Sequence, residues 1–257
     1  MLKINHLALF LSLFLVLSSC TSDNTNDENK INKSANLLGL GDSAKDLLSD
    51  ERYTSMNIEI AYVTGYAPSQ EAIEQFSNFL EKRVYKPDGI QISQRAVESS
   101  GKAPFDIEEI AAIERDLREN YNVGDEIAVF IYFADGSSEK DEENRFVLGS
   151  AFRNTSMVIY GETIKDFAQR PNAPSKADIE AATLNHEFGH LFGLVDLGTE
   201  PQSDHEDEEY AGHCNVPGCL MQASIEFGGG IVDVIDGGNI PDLDDQCVFD
   251  LQNNGGK

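Results

Sequence analysis

Basic residues are scarce in this chain of 257 residues: 19 lysines and arginines face 45 aspartates and glutamates, for a formal net charge of −26. A phosphate backbone is bound through a basic face, so nucleic acid is excluded as a partner. Long apolar runs are equally scarce. Beyond residue 20 no stretch approaches the roughly 20 apolar residues that a membrane-crossing helix needs. No internal repeat occurs, which sets aside repeat architectures. Cysteine is limited to four positions, Cys20, Cys214, Cys219 and Cys247.

What is present is globular in composition, 40% hydrophobic and 25% charged, at a length that suits one sizeable domain or one domain with a small appendage. The first twenty residues carry a basic Lys3, an apolar stretch over 7–17 and then Leu17-Ser18-Ser19-Cys20. That is a signal peptide over residues 1–19, too short to span a bilayer in the ordinary way. Its end resembles a bacterial lipobox, in which cleavage before the cysteine leaves a lipidated N-terminal residue. The resemblance makes Cys20 the anchor of an extracytoplasmic lipoprotein of the cell envelope, at the outer membrane and exposed at the surface, which touches the membrane through that lipid alone. Residues 20–55 are polar and read as a flexible tether with a short helix at 44–48. The acidic beginning of this tether resembles the surface-export signals of some Bacteroidetes lipoproteins. Outside the cytoplasm two of the three remaining cysteines would be oxidised, and the spacing leaves their pairing open.

The folded part is expected from residue 56. Alternation predicts strands over 57–64 and 89–97, and helical spacing predicts helices over 69–85, through Ile73, Phe76, Phe79 and Leu80, and over 106–121, through Ile107, Ile110, Ile113 and Leu117. The unbroken apolar run 127–133 suits a buried central strand, and two shorter strands follow near 146–152 and 157–160. A further helix starts near Ser175, where Ser175-Lys176-Ala177-Asp178 resembles a capping box with Asp in place of Glu or Gln. Strand-helix-strand units repeated in this way imply an α/β (α+β) class: a twisted, mostly parallel five-stranded sheet with helices packed on it. Residues 56–194 form the N-terminal subdomain. Residues 195–257, acidic, Gly-rich and irregular apart from a helix at 241–251, form a small C-terminal one.

The helix that starts near Ser175 contains His186-Glu187-Phe188-Gly189-His190. One turn apart, His186 and His190 project from one face, where two neutral imidazoles can share a tetrahedral Zn²⁺. Glu187 lies beside them, placed to take a proton from a metal-activated water. Gly193, three residues on, permits the left-handed turn that sends the chain back beneath the metal. A third ligand should follow.

This arrangement resembles the metzincin clan of zinc metallopeptidases over residues 56–251. Within it, His213-Cys214-Asn215-Val216-Pro217-Gly218-Cys219-Leu220-Met221 is similar to the archaemetzincin pattern, in which the third His is followed directly by Cys, four residues, Cys, one residue and Met. The resemblance implies His213 as the third ligand and Met221 as the methionine of a turn packed under the metal. It also departs from the family. The place three residues after Gly193 holds Asp196, and the later Cys-x-x-Cys, which joins the other two cysteines at a structural zinc in the family, reads here as Asp244-Asp245-Gln246-Cys247. One cysteine is missing, so a disulfide is expected in place of a second structural metal. Three residues therefore compete for third ligand: His213 by family context, Asp196 by the H-E-x-x-H-x-x-G-x-x-D spacing, and His205. With His213, residues 196–212 are an insertion whose acids bind Ca²⁺ or face solvent.

The implied function is that of a monomeric zinc metalloendopeptidase acting on protein or peptide substrates, with Glu187 as general base and proton donor to the leaving amine. Strand 146–152 is expected at a sheet edge that could hold an extended peptide, and Tyr160 and Tyr210 are read as core or surface residues before oxyanion donors. The competing reading is a zinc-containing surface-binding lipoprotein with little or no turnover.

Overall fold

The computed structural model describes residues 31–143, 145–227, 235 and 239–257. The expected signal peptide, Cys20 and the first part of the expected tether lie outside the described residues. Residues 31–257 form one compact unit, the expected C-terminal subdomain included. No described helix is long and apolar enough to cross a membrane.

A five-stranded sheet organises this unit, in the order β2-β1-β3-β5-β4. Strands β1 (Ser55–Val63), β2 (Gly89–Val97), β3 (Glu126–Ala134) and β5 (Ser156–Tyr160) run parallel, and β4 (Gly149–Arg153) pairs antiparallel with β5 at one edge. The apolar run of β3 is at the centre because it is covered on both faces. Ile127, Val129, Ile131 and Phe133 point to one side, where α2 (Gln70–Arg83) and α5 (Lys176–Leu191) pack. Phe130 and Tyr132 point to the other, against Ile110 and Ile113 of α3 (Ile107–Leu117). A residue shift in such a strand would exchange the two faces, so the pattern sets the register.

Three differences from the sequence expectations have physical causes. First, the tether ends well before residue 55. Helix α1 (Ala44–Leu48) forms as expected, but its Leu47 and Leu48 are fully buried in the main core, and Asn36 is buried ahead of it. The Asn36 amide donates to Asn122 Oδ1, the Ala128 carbonyl and Thr155 Oγ1 at 2.7, 3.0 and 3.1 Å, and Lys86 Nζ donates to the Asp46 and Tyr53 carbonyls at 3.0 and 2.8 Å. Polar side chains that satisfy buried backbone give no hydrophobic periodicity, so the segment reads as solvated. Second, α3 stops at Leu117, four residues early. Arg118 leaves the helical region, with φ −62° and ψ 122°, and its guanidinium is buried between Glu114 Oε1 at 2.9 Å and the Ala128 carbonyl at 2.8 Å. Third, α4 (Gly161–Ala168) follows β5 directly and was not expected, and the terminal helix α7 (Asp245–Asn253) begins four residues later than read, at an Asp244 cap. Between them lies α6 (Ala223–Glu226), a single turn.

Helix α5 carries the motif. Ser175 caps it, its hydroxyl accepting from Asp178 N at 3.1 Å and donating to Asp178 Oδ2 at 2.7 Å, so the shortened acid bonds the cap hydroxyl instead of the Ser175 backbone N–H that a capping box uses. The helix is buried nearly all round. It lies between α2 and the β4 edge, and that burial fixes the direction of every side chain on it.

Candidate metal centre

Helix geometry puts His186 and His190 on one face, and Gly193 ends the helix at φ +69°, where an added Cβ would lie 2.8 Å from Thr199 N. The chain then leaves through residues 194–212 and returns with His213. The three imidazoles converge: ring centroids are 4.7 Å apart for His186 and His190, 5.3 Å for His186 and His213 and 5.1 Å for His190 and His213. His186 Nδ1 donates to the Leu220 carbonyl at 2.8 Å, which leaves its Nε2 lone pair facing His190 Nε2 at 3.1 Å. His213 Nε2 points to the same place, 2.8 Å from Glu226 Oε2. One ligand atom from each of His186, His190, His213 and Glu226 lies within 4.8 Å of the others.

Glu187 is fully buried on the adjacent side of the helix. Its Oε2 accepts from Ala151 N of β4 at 2.7 Å, while its Oε1 has no hydrogen-bond partner. The close approach of β4 depends on Gly149, where an added Cβ would lie 2.8 Å from Glu187 Cγ. Below the histidines Met221 packs on the bare backbone of Gly189: a Cβ there would stand 2.2 Å from Met221 Sδ. In front of Glu226 a cavity of about 360 Å³ is lined by Phe105, Ser138, Arg145, Ser150, Tyr160, Glu226 and Phe227.

The electrostatics describe a site short of positive charge. Burial, reinforced by His213, pushes His186 down to about 4, and burial with the two other imidazoles holds His190 well below its ordinary value. Burial, and then the Glu226 carboxylate, raises Glu187 well above the carboxylate range. Besides Glu187 Oε1, the buried atom His190 Nδ1 lacks a hydrogen-bond partner, and His213 Nε2 meets Glu226 Oε2 at 2.8 Å without hydrogen-bond geometry. Imidazoles with converging ring nitrogens beside two carboxylates are the donor set of a divalent cation, and tetrahedral zinc sets nitrogen ligands about 3.3 Å apart, close to the His186–His190 separation. The residues present fit such an ion.

The other sequence candidates are placed elsewhere. Asp196 is exposed, in left-handed backbone at φ +61°, and is outside the histidine group. His205 is buried but belongs to a separate group with Cys214, Asp244 and Cys247. No three carboxylates of residues 196–212 converge among the described residues. All three described cysteines are free thiols, so the expected disulfide is not formed; their sulfurs meet around His205 instead of pairing. Tyr160 is buried, and burial raises it to about 12; Tyr210 is half-buried with its ring 6.0 Å from that of Phe227. Glu226 and Asp250 went unnoticed in the sequence. Each is an acid without a spacing signal, and only the fold brings it to a histidine.

The fold is similar to that of an archaemetzincin. The solved structure is the archaemetzincin from Methanopyrus kandleri, with 18% sequence identity, coverage of 79% of this chain and 97% of that one, and a TM-score of 0.51. At that identity the likeness speaks for the fold alone. No protein-family model and no curated protein matches the chain.

Proposed function

We propose that the chain is a zinc metallopeptidase whose metal is held by His186, His190 and His213. The observation that carries this reading is the convergence of three buried imidazoles beside a carboxylate with one oxygen fixed and the other free. Bound there, zinc supplies Lewis acidity, which lowers the pKa of water to near neutrality and polarises a carbonyl. The remaining roles fall to the chain. Ala151 N holds Glu187 by Oε2, so Oε1 is the atom that receives a proton from water and returns it to the leaving amine. Met221 and the Leu220 carbonyl fix the floor and the orientation of His186. The edge strand β4 offers backbone to an extended peptide along the cavity. We read Cys20, from its leader alone, as the lipid anchor of this enzyme at the cell envelope.

The test is zinc content by elemental analysis together with cleavage of casein, for wild type and Glu187→Ala. Equal zinc with cleavage lost in the variant supports the reading; equal cleavage in both overturns it.

Glu226 favours a second reading. Structural zinc sites use four protein donors and catalytic ones keep a position open, and Glu226 Oε2 stands where a fourth donor would. A site closed by Glu226 would bind metal with little turnover. Faster cleavage by Glu226→Ala than by wild type supports this closed state, and unchanged or slower cleavage discards it.

A further inference from the structure

The cavity in front of Glu226 holds a basic side chain that stays out of every ion pair among the described residues. Arg145 lies there half-buried, its guanidinium carbon 3.6 Å from the centre of the Phe227 ring and 5.4 Å from that of Tyr210. The other arginines drawn into the fold behave differently. Arg83 meets Asp242, Arg95 meets Glu59, and Arg118 and Arg153 both meet Glu114. With 45 acids to 19 bases in the chain, the isolation of Arg145 does not come from a shortage of partners. The acids of the same cavity are engaged elsewhere: Asp106 Oδ1 caps α3, accepting from Glu109 N at 2.7 Å, and Glu226 Oε2 faces His213 at 2.8 Å. Glu139 and Glu142 are exposed at its rim.

The loop that carries Arg145 is fixed at several points. Glu142 N donates to the Arg145 carbonyl at 2.8 Å, Val147 N to Asp141 Oδ1 at 2.9 Å, and Leu148 N to the Glu226 carbonyl at 2.8 Å, which ties the loop to α6. Phe227 stands between Arg145 and the metal centre, its ring 5.9 Å from that of His213. A guanidinium stacked by its face keeps its N–H edge free, and that planar fork of donors matches a carboxylate in bidentate fashion. The volume of about 360 Å³ is at the low end for a ligand pocket and gives room to a side chain with its flanking backbone. Ser150 of β4 lines the same cavity, next to the Ala151 N that holds Glu187. A peptide lying along β4 would therefore bring a residue close to the cleaved bond in front of Arg145.

We propose that Arg145 binds a carboxylate of the substrate, so that the site selects peptides that place an acidic side chain or a chain-terminal carboxylate in this cavity. The proposal rests on the peptidase reading given above. Arg145 is then a specificity-determining residue, and the acidic balance of the rest of the chain leaves it as the cavity's half-buried positive charge.

The experiment uses pools of quenched fluorogenic peptides with Glu, Gln or Lys fixed at one position at a time, cut by the full zinc-loaded chain. Wild type should show a kcat/KM about 10- to 100-fold higher for Glu than for Gln at one position near the cut, the worth of a charge-assisted fork. In Arg145→Gln that ratio should fall to near one. Arg145→Lys keeps the charge without the fork and should retain part of it. Arg145→Glu should turn the preference to Lys, an inversion that loss of structure cannot produce. Peptides ending in a free carboxylate or an amide separate the two sources: a preference for the free end without one for Glu assigns the carboxylate to the chain terminus. Binding of the same pools, dye-labelled, to the zinc-loaded Glu187→Ala chain, read by fluorescence anisotropy, should show the same preference without turnover. If wild type cleaves neither casein nor any pool, the peptidase reading fails; a carboxylate preference in binding that Arg145→Gln removes would still uphold Arg145 as its receptor. A carboxylate preference absent from wild type, or unchanged in Arg145→Gln, would overturn the proposal. A wild-type preference for Lys would also overturn it and assign the cavity to Glu139 and Glu142.

Discussion

His213 and Cys214 are neighbours in the chain and serve different clusters. The segment that carries them is extended enough to bridge Glu206 to Cys214, so successive side chains leave on opposite sides. One goes to the imidazoles on α5, the other to the sulfurs over α7. The clusters differ in what presents them. His186 and His190 are fixed by one rigid helix, and the free oxygen of Glu187 stays available. The thiol cluster takes its members from two loops and the first turn of a helix, with every donor enclosed and Asp250 behind. Nitrogen donors with a free carboxylate oxygen suit an ion that is used.

The contrast breaks most sharply at Glu187. Glu187→Ala should lower peptide hydrolysis by roughly 10²- to 10⁴-fold, the usual contribution of a positioned general base, while zinc bound at the first cluster stays at the wild-type level. His186→Ala should empty that cluster. Elemental analysis beside a casein assay reads both outcomes, and zinc retained at the wild-type level in His186→Ala would overturn the assignment of that ligand.

The next effect sharpens the assignment of the returning strand. His213→Ala should weaken zinc binding at the first cluster by orders of magnitude, and Asp196→Ala should leave it unchanged, because Asp196 is exposed and turned away in left-handed backbone. Competition titration against a chelator measures both, and loss in Asp196→Ala alone would reverse the reading.

How much of this was legible in the sequence follows from the kind of signal each part carries. The sheet was legible because β1 and β3 alternate or run apolar without interruption, and helix α5 because its cap, histidine spacing and Gly193 are all local. The docking of Asn36, Leu47 and Leu48 on the core was not, since the partners of Asn36, at Asn122, Ala128 and Thr155, are far away in sequence. Nor was the division of the donors. His205, Asp244 and Cys247 carry recognisable chemistry, but which of them meets Cys214 depends on a path through residues 196–212 that has no periodicity. Glu226 and Asp250 show the same limit in its plainest form, as single acids that become informative only beside the histidines they face.

Gly189 tests whether the first cluster depends on its floor. Met221 fills the space a side chain would need, so Gly189→Ala forces the thioether or the helix to move, at a cost of about 1–3 kcal/mol for overpacking. Denaturant unfolding should register that loss. Zinc affinity at the first cluster should fall with it. A loss of stability with zinc affinity intact would make Met221 a core residue and nothing more.

The smallest expected effect lies at the start of the same helix. Ser175→Ala removes the hydroxyl that accepts from Asp178 N, and losing such a cap costs about 1 kcal/mol. His186 lies eleven residues further on, about 16 Å along the axis at 1.5 Å per residue. Cap loss frays the first turn, and α5 is held beyond it by burial against α2 and the β4 edge. The midpoint of unfolding should therefore drop, while metal affinity and hydrolysis stay level. A matching loss of zinc at the first cluster would mean that fraying reaches the histidines. The helix would then be no rigid frame, and the difference between the helix-borne and the loop-borne cluster would reduce to the softness of their donors.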